Sequence, residues 1–233
     1  MLNNLTLLAI IPGLVLIFLV YKFDKIEKEP ISEIFRFVKY GILTTFAAAA
    51  LEILGSSILD SLMGNCLLKN ILMYFVIVAG AEEGMKYFVF NKYAWSNWNF
   101  NYKFDAIVYS VSIGMGFAIW ENISYVRTYG FNTGVARAFT AIPGHATFAI
   151  IMGCFLGKAR KEANYAYGYD NHTKLYKRLA LIIPMFVHGL YDFLLTSETM
   201  ASEVIFLVLL MFMYWISYVI LGRCSKDDEY IGV

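Results

Sequence analysis

Apolar runs of about 20 residues, the length needed to cross a hydrocarbon core, recur along the whole chain. They fall near 3–21, 40–62, 67–91, 105–128, 138–157, 179–197 and 202–222. Short polar segments separate them. The pattern predicts an all-α, polytopic transmembrane helix bundle of about seven spans, forming a single domain over residues 1–233. Residues 31–39 (ISEIFRFVK) are amphipathic and predict an interfacial lead-in to the second span. The first apolar run lacks a basic leading segment and a small-residue cleavage site. It reads as a retained span and not as a signal peptide.

Lysine and arginine placement predicts the orientation, because basic residues concentrate on the cytoplasmic side. Lys22, Lys25, Lys28, Arg36 and Lys39 follow the first span, and Lys92 and Lys103 flank the loop after the third. Lys158, Arg160, Lys161, Lys174, Lys177 and Arg178 follow the fifth, and Arg223 and Lys226 follow the last. The alternate side holds only Lys69, Arg127 and Arg137. This places the N-terminus outside and the C-terminus in the cytoplasm, and an even span count would break the alternation. The polar stretch 158–178 reads as a solvated cytoplasmic connector. No internal repeat of the inverted kind found in many transporters is visible.

Composition agrees with the pattern. The chain is 59% hydrophobic and 16% charged, against about 45–50% and about a quarter in soluble domains. A net charge of +1 gives no field for nucleic acid. Cys66, Cys154 and Cys224 are an odd, scattered set, with neither a disulfide framework nor a CxxC zinc pattern. The expected location is a membrane, as a multi-pass protein in contact with lipid.

The polar residues inside the apolar runs carry the chemistry. A charge at the centre of a bilayer costs roughly 2.5–3.5 kcal/mol on insertion scales. The third span nevertheless carries Glu82, Glu83 and Lys86. On a helix Lys86 reaches either carboxylate, at i+4 and i+3. One local cation leaves one carboxylate over, which requires a partner elsewhere or a proton. Gly80 and Gly84 predict close approach of a neighbouring backbone around the pair. The fourth span adds Glu121, with Asn122 beside it and Tyr125 one turn on, and Gly114 and Gly116 predict a tightly packed or substrate-lined face. The fifth contains His145 and the sixth His188 and Asp192, each histidine preceded by a helix-disrupting proline, Pro143 or Pro184. His188 and Asp192 share a helix face, a spacing that lets a carboxylate orient an imidazole or share a metal with it. At 1.5 Å per residue, Glu82 and His188 fall near mid-bilayer, and His145 and Glu121 about 10–12 Å from the outer face.

Four blocks stand in order, each in its own span: Glu82-Glu83-x-x-Lys86, Phe117-x-x-x-Glu121, His145 within PGHATFAIIMG, and His188-x-x-x-Asp192. Together with Asp105-Ala106-Ile107-Val108-Tyr109 at the start of the fourth span, they resemble the PrsW family of intramembrane proteases. That family is related to the CAAX prenyl protease and bacteriocin-processing superfamily. The wider group typically has Arg and His where this chain has Lys86 and Glu121, which fits the PrsW branch. The resemblance implies a first (site-1) cut in a single-span membrane anti-sigma factor on its extracytoplasmic side, leading to release of a stress sigma factor.

Peptide hydrolysis needs an activated water, a stabilised oxyanion and a proton for the leaving amine. Glu82 or Glu83 is the expected general base, with Lys86 as counter-charge to its neighbour and His188 in the catalytic group. His145 and His188 with Glu121 or Asp192 form a candidate Zn²⁺ set. A metal-free glutamate mechanism, with the histidines as oxyanion donors, stays open beside it. Asn122 and Tyr125 are candidates for substrate contact. Neither HExxH nor GxSxG occurs. Two other classes use intramembrane Glu, His and Asp: an ion-coupled transporter and a non-catalytic scaffold that binds a partner helix. A cut product, a flux or neither tells the three apart.

Overall fold

The computed structural model describes residues 2–165, 171–197 and 199–232. Among these, every named element is helical. The elements are α1 (Leu2–Phe23), α2 (Ile31–Leu62), α3 (residues 67–94), α4 (Asp105–Tyr129), α5 (Phe131–Phe139), α6 (Ala141–Tyr165), α7 (Asn171–Thr196) and α8 (Met200–Lys226). Among the described residues, six helical stretches are long and apolar enough to cross a membrane, with α5 and α6 counted together. The remaining long helix is α3, the one that carries Glu82, Glu83 and Lys86. The protein is an all-helical, multi-pass membrane protein.

Burial separates the helices into a centre and a rim. In their most apolar windows, α4 is 83% buried and the α5–α6 stretch 78%, against 17% for α1 and α2 and 22% for α8. The rim helices turn large apolar side chains outward, Phe18, Leu54 and Trp215 among them, as a lipid-facing surface requires. The centre is packed with Tyr109, Ile113, Met115, Phe117, Phe148 and Met152.

Local chemistry sets the helix ends. Oδ2 of Asp105 accepts the backbone N–H groups of Asn101 (3.0 Å) and Tyr102 (2.7 Å), which fixes the entry to α4. Gly130, at φ 86°, ends α4 in the left-handed region that glycine adopts without strain. The chain then reverses through α5 into α6. Thr199 and Ser202 close a reciprocal cap at the start of α8.

Several expectations change. The amphipathic 31–39 segment is continuous with the second span, as α2 runs unbroken for 32 residues. The polar stretch 158–178 is mostly helix, because α6 continues to Tyr165 and α7 begins at Asn171; only residues 166–170 lie outside the description. Pro143 does not disrupt its helix. It sits in the first turn of α6, where backbone N–H groups have no intrahelical partner to lose. Pro184 does lie inside α7.

Gly80 and Gly84 do not bring a backbone close. A Cβ at Gly84 would meet nothing within 4 Å, and one at Gly80 only the Met185 side chain at 3.5 Å. Close backbone approach occurs at other glycines, among them two between α2 and α4: a Cβ at Gly41 would be 2.0 Å from the Ile113 carbonyl oxygen, and one at Gly116 2.1 Å from that of Val38. Neither oxygen can swing away. Gly116→Ala is expected to destabilise the bundle by about 1–3 kcal/mol, the usual cost of overpacking. Gly84→Ala is expected to stay within about 0.5 kcal/mol of wild type. Unfolding of both variants in detergent checks the pair.

Candidate active site

Glu82 and Glu83 are adjacent, so on a helix they point about 100° apart. A π-helical segment, Met73–Val78, leads directly into Ala79–Val89, where they lie. Such widened turns are frequent at functional sites. Glu82, Glu83 and Lys86 are all buried. The Lys86 ammonium donates to Glu82 Oε2 at 3.1 Å and to Glu83 Oε1 at 2.7 Å, both within α3. Its third contact crosses to α6, where it lies 3.2 Å from His145 Nδ1.

These contacts fix the histidine tautomers. An ammonium only donates, so His145 Nδ1 accepts and the ring proton sits on Nε2. From there it is given to Glu121 Oε2 on α4, at 2.9 Å. His188 on α7 has Nδ1 3.0 Å from Glu83 Oε1, and an ionised carboxylate only accepts, so Nδ1 carries a proton. Its Nε2 lies 3.4 Å from Asp192 Oδ2. Phe148 stacks on the His188 ring (4.6 Å between centroids, 18° between planes) and holds its plane. The two imidazoles meet edge to face at 5.5 Å.

A cavity of about 320 Å³ opens on this group, lined among others by Glu52, Glu82, Glu121, His145, His188 and Asp192. A second, of about 260 Å³, shares Glu52, Glu82, Glu121 and Tyr125 and extends between α2 and α4 past Phe46 and Trp120. Glu82 faces both cavities, whereas Glu83 and Lys86 line neither.

The profile of the PrsW family intramembrane metalloproteases matches residues 29–219. The chain belongs to the PrsW family. Protease PrsW of Oceanobacillus iheyensis is 34% identical over 95% of this chain and 94% of its own length. Protease PrsW of Geobacillus kaustophilus is 31% identical over 82% and 79%, and that of Bacillus subtilis 29% over 89% of each chain. No solved structure matches. The protein is a membrane-embedded, multi-pass bacterial protease.

The family is one of metalloproteases, and the site offers donors that a metal could use. Glu82, Glu83 and His145 offer ligand atoms that all lie within 4.8 Å of one another. Glu83 Oε2 is buried without a hydrogen-bond partner among the described residues. Five carboxylates (Glu52, Glu82, Glu83, Glu121 and Asp192) stand around the site against two permanent cations, Lys86 and Arg137. Carboxylate and imidazole donors with surplus negative charge suit Zn²⁺. The set differs from the one read from sequence. His145, His188, Glu121 and Asp192 surround one cavity but divide into His145–Glu121 and His188–Asp192 pairs. The compact trio takes both its carboxylates from α3, and Lys86 already bridges it.

Asn122 does not contact the cavity. It is fully buried, its Nδ2 donating to the Ala9 carbonyl at 3.2 Å and its Oδ1 accepting from Arg137 Nε at 3.0 Å. Tyr125 does line the cavity and lies under the Arg137 guanidinium, 3.9 Å from its ring centroid. Two site residues were missed in the sequence. Arg137, counted there only as an outer-side charge, pairs with Glu121 Oε2 at 3.0 Å. Glu52 is an intramembrane carboxylate within AAAALEILG, and the rule that singled out Glu82 applies to it equally. Arg137→Gln removes both the Glu121 and the Asn122 anchors, and cleavage is expected to fall about 10–100-fold, as for other outer partners of a metal-site ligand. Initial cleavage rates at matched membrane expression check this.

Proposed function

We propose that this protease makes the first (site-1) cut in a single-span membrane anti-sigma factor, on its extracytoplasmic side, and so leads to release of a stress sigma factor. The observation that carries the reading is the second cavity, between α2 and α4, which shares Glu52, Glu82, Glu121 and Tyr125 with the cavity at the site. A groove between helices, polar inside and apolar at its mouth, suits a substrate segment arriving within the bilayer. The charge pattern along the chain, which assigns the α4–α5 turn to the outer side, supports the side of cleavage.

The residues divide the work by position. Glu82 is the general base, since it is the carboxylate of the pair that faces the cavity. Glu83 is a positioning residue: it holds His188 by Nδ1 and anchors Lys86. His188 lines the cavity, and its Nε2, with only Asp192 near at 3.4 Å, is the ring nitrogen left to meet a developing oxyanion when protonated; both nitrogens of His145 are engaged by Lys86 and Glu121. Asp192 and Glu121 orient the two rings. In the metal-dependent alternative, Glu82, Glu83 and His145 would instead be ligands to Zn²⁺, and the ion would supply the Lewis-acid polarisation and water activation otherwise assigned to the base. For His145 to serve as a ligand there, the Lys86 ammonium would have to leave Nδ1, whose single lone pair it occupies.

Co-expression with a tagged single-span anti-sigma factor from the same genome tests the reading. Wild type is expected to release a truncated product, and Glu82→Gln to release none while still inserted. His188→Ala is expected to lose at least about 100-fold, the scale of general acid–base groups. A product in every lane would assign the cut to another host enzyme. For the purified protein, 1,10-phenanthroline is expected to abolish cleavage and added Zn²⁺ to restore it; activity unchanged by the chelator would select the metal-free glutamate mechanism.

A further inference from the structure

A second group of acids is buried at the other end of the bundle. Asp24, Glu27 and Glu29 come from the α1–α2 connection, Asp105 opens α4, and Asp228 belongs to the tail after α8. Asp105 and Glu121 are 16 residues apart on α4, so this group lies about 24 Å along the helix from the active site. Glu27, Glu29 and Asp105 offer carboxylate oxygens that all lie within 4.8 Å of one another.

Independently of that trio, Asp24 is 0% exposed, and its Oδ1 is buried with no hydrogen-bond partner among the described residues. Its other oxygen has only the Glu29 backbone N–H, at 3.4 Å. Glu29 Oε1 and Asp105 Oδ1 are likewise buried and unpartnered, on residues 1% and 0% exposed. The donors present are engaged on other atoms: Tyr109 OH on Glu29 Oε2 at 2.6 Å, the Asn101 and Tyr102 N–H groups on Asp105 Oδ2, and Phe104 N–H on Asp228 Oδ1. The Lys28 ammonium is hydrogen-bonded to the backbone carbonyls of Tyr21 and Asp24, and Lys103 to Glu229 and the Asp227 carbonyl.

We propose that Asp24, Glu27, Glu29 and Asp105 form a binding site for a hard divalent cation of the Mg²⁺/Ca²⁺ class, separate from the catalytic centre. Buried carboxylates without partners are costly unless a cation compensates them. An all-oxygen donor set without His or Cys selects these ions over Zn²⁺. The spread of the trio fits as well, since oxygens on opposite sides of Ca²⁺ lie about 4.8 Å apart. The ion ties the α1–α2 connection to the start of α4, and the tail joins through Asp228. The rival occupant is protons, because burial pushes the Asp24 carboxyl up to about 6 and that of Glu29 up to about 8.

Mn²⁺ binding to the purified full-length protein in detergent, followed by electron paramagnetic resonance, tests the site. Wild type and Glu82→Gln/Glu83→Gln, which disables the catalytic donors, are expected to hold one Mn²⁺ that Mg²⁺ or Ca²⁺ displaces. Glu27→Gln, at a partly exposed position that leaves the fold intact, is expected to weaken it at least tenfold. Mg²⁺ or Ca²⁺ is expected to raise the melting temperature of wild type, and to raise that of Glu27→Gln less. No displaceable Mn²⁺ up to about 1 mM, the weak end of protein cation sites, would overturn the proposal in favour of shared protons. So would binding that Glu27→Gln leaves unchanged, or that only the catalytic variant loses.

Discussion

The Lys86 ammonium is the contact around which the site is organised. It is buried and bonded to two carboxylates of its own helix and to the imidazole of another. Two adjacent glutamates in an apolar surrounding repel each other and are expensive to desolvate. One cation between them offsets part of that cost and ties α3 to α6. Its third bond also fixes the proton on His145, and through it the direction in which that ring meets Glu121. Removing one member of such a network strands a buried charge, which costs about 3–5 kcal/mol in other proteins.

The remaining architecture keeps this network dry on one side and accessible on the other. α4 and α6 form the buried centre and hold Glu121, His145 and Phe148 on rigid helices. α3 and α7 bring Glu82, Glu83, His188 and Asp192 against them. Backbone contact between α2 and α4 at Gly41 and Gly116 sets the spacing of these two helices. Further along the same pair, Phe46, Glu52, Trp120 and Tyr125 line a gap that reaches the site. One helix pair thus holds both a tight joint and an open gap.

Both polar clusters obey the same electrostatic rule and resolve it differently. Around the active site, Lys86 and Arg137 neutralise part of the charge and leave a surplus suited to a metal and to chemistry. At the other end the nearest lysines bind carbonyls or Glu229, and acids from three separate segments face one another.

The spans, the membrane class and the Glu82–Glu83–Lys86 cluster were legible in the sequence, because hydropathy and the i, i+3, i+4 relation are local properties of one helix. The pairing of His188 with Asp192 was legible for the same reason. The family resemblance rested on blocks whose order is written along the chain. Tertiary structure decided which groups meet across helices. Gly130 turns the chain so that α5 returns Arg137 to Glu121, a contact no spacing rule contains. Rotation of α4 sends Asn122 to Ala9 and Arg137, although it neighbours a residue of the cavity. Rotation of α3 gives Glu82 the cavity and Glu83 the interior, though composition treats them as equals. Of the two glycine pairs read as contact points, Gly114 and Gly116 do lie in tight packing and Gly80 and Gly84 do not, since a small residue permits close approach but only a facing neighbour creates it. Depth and residue type are therefore set by the chain itself, and helix rotation and partner choice by packing.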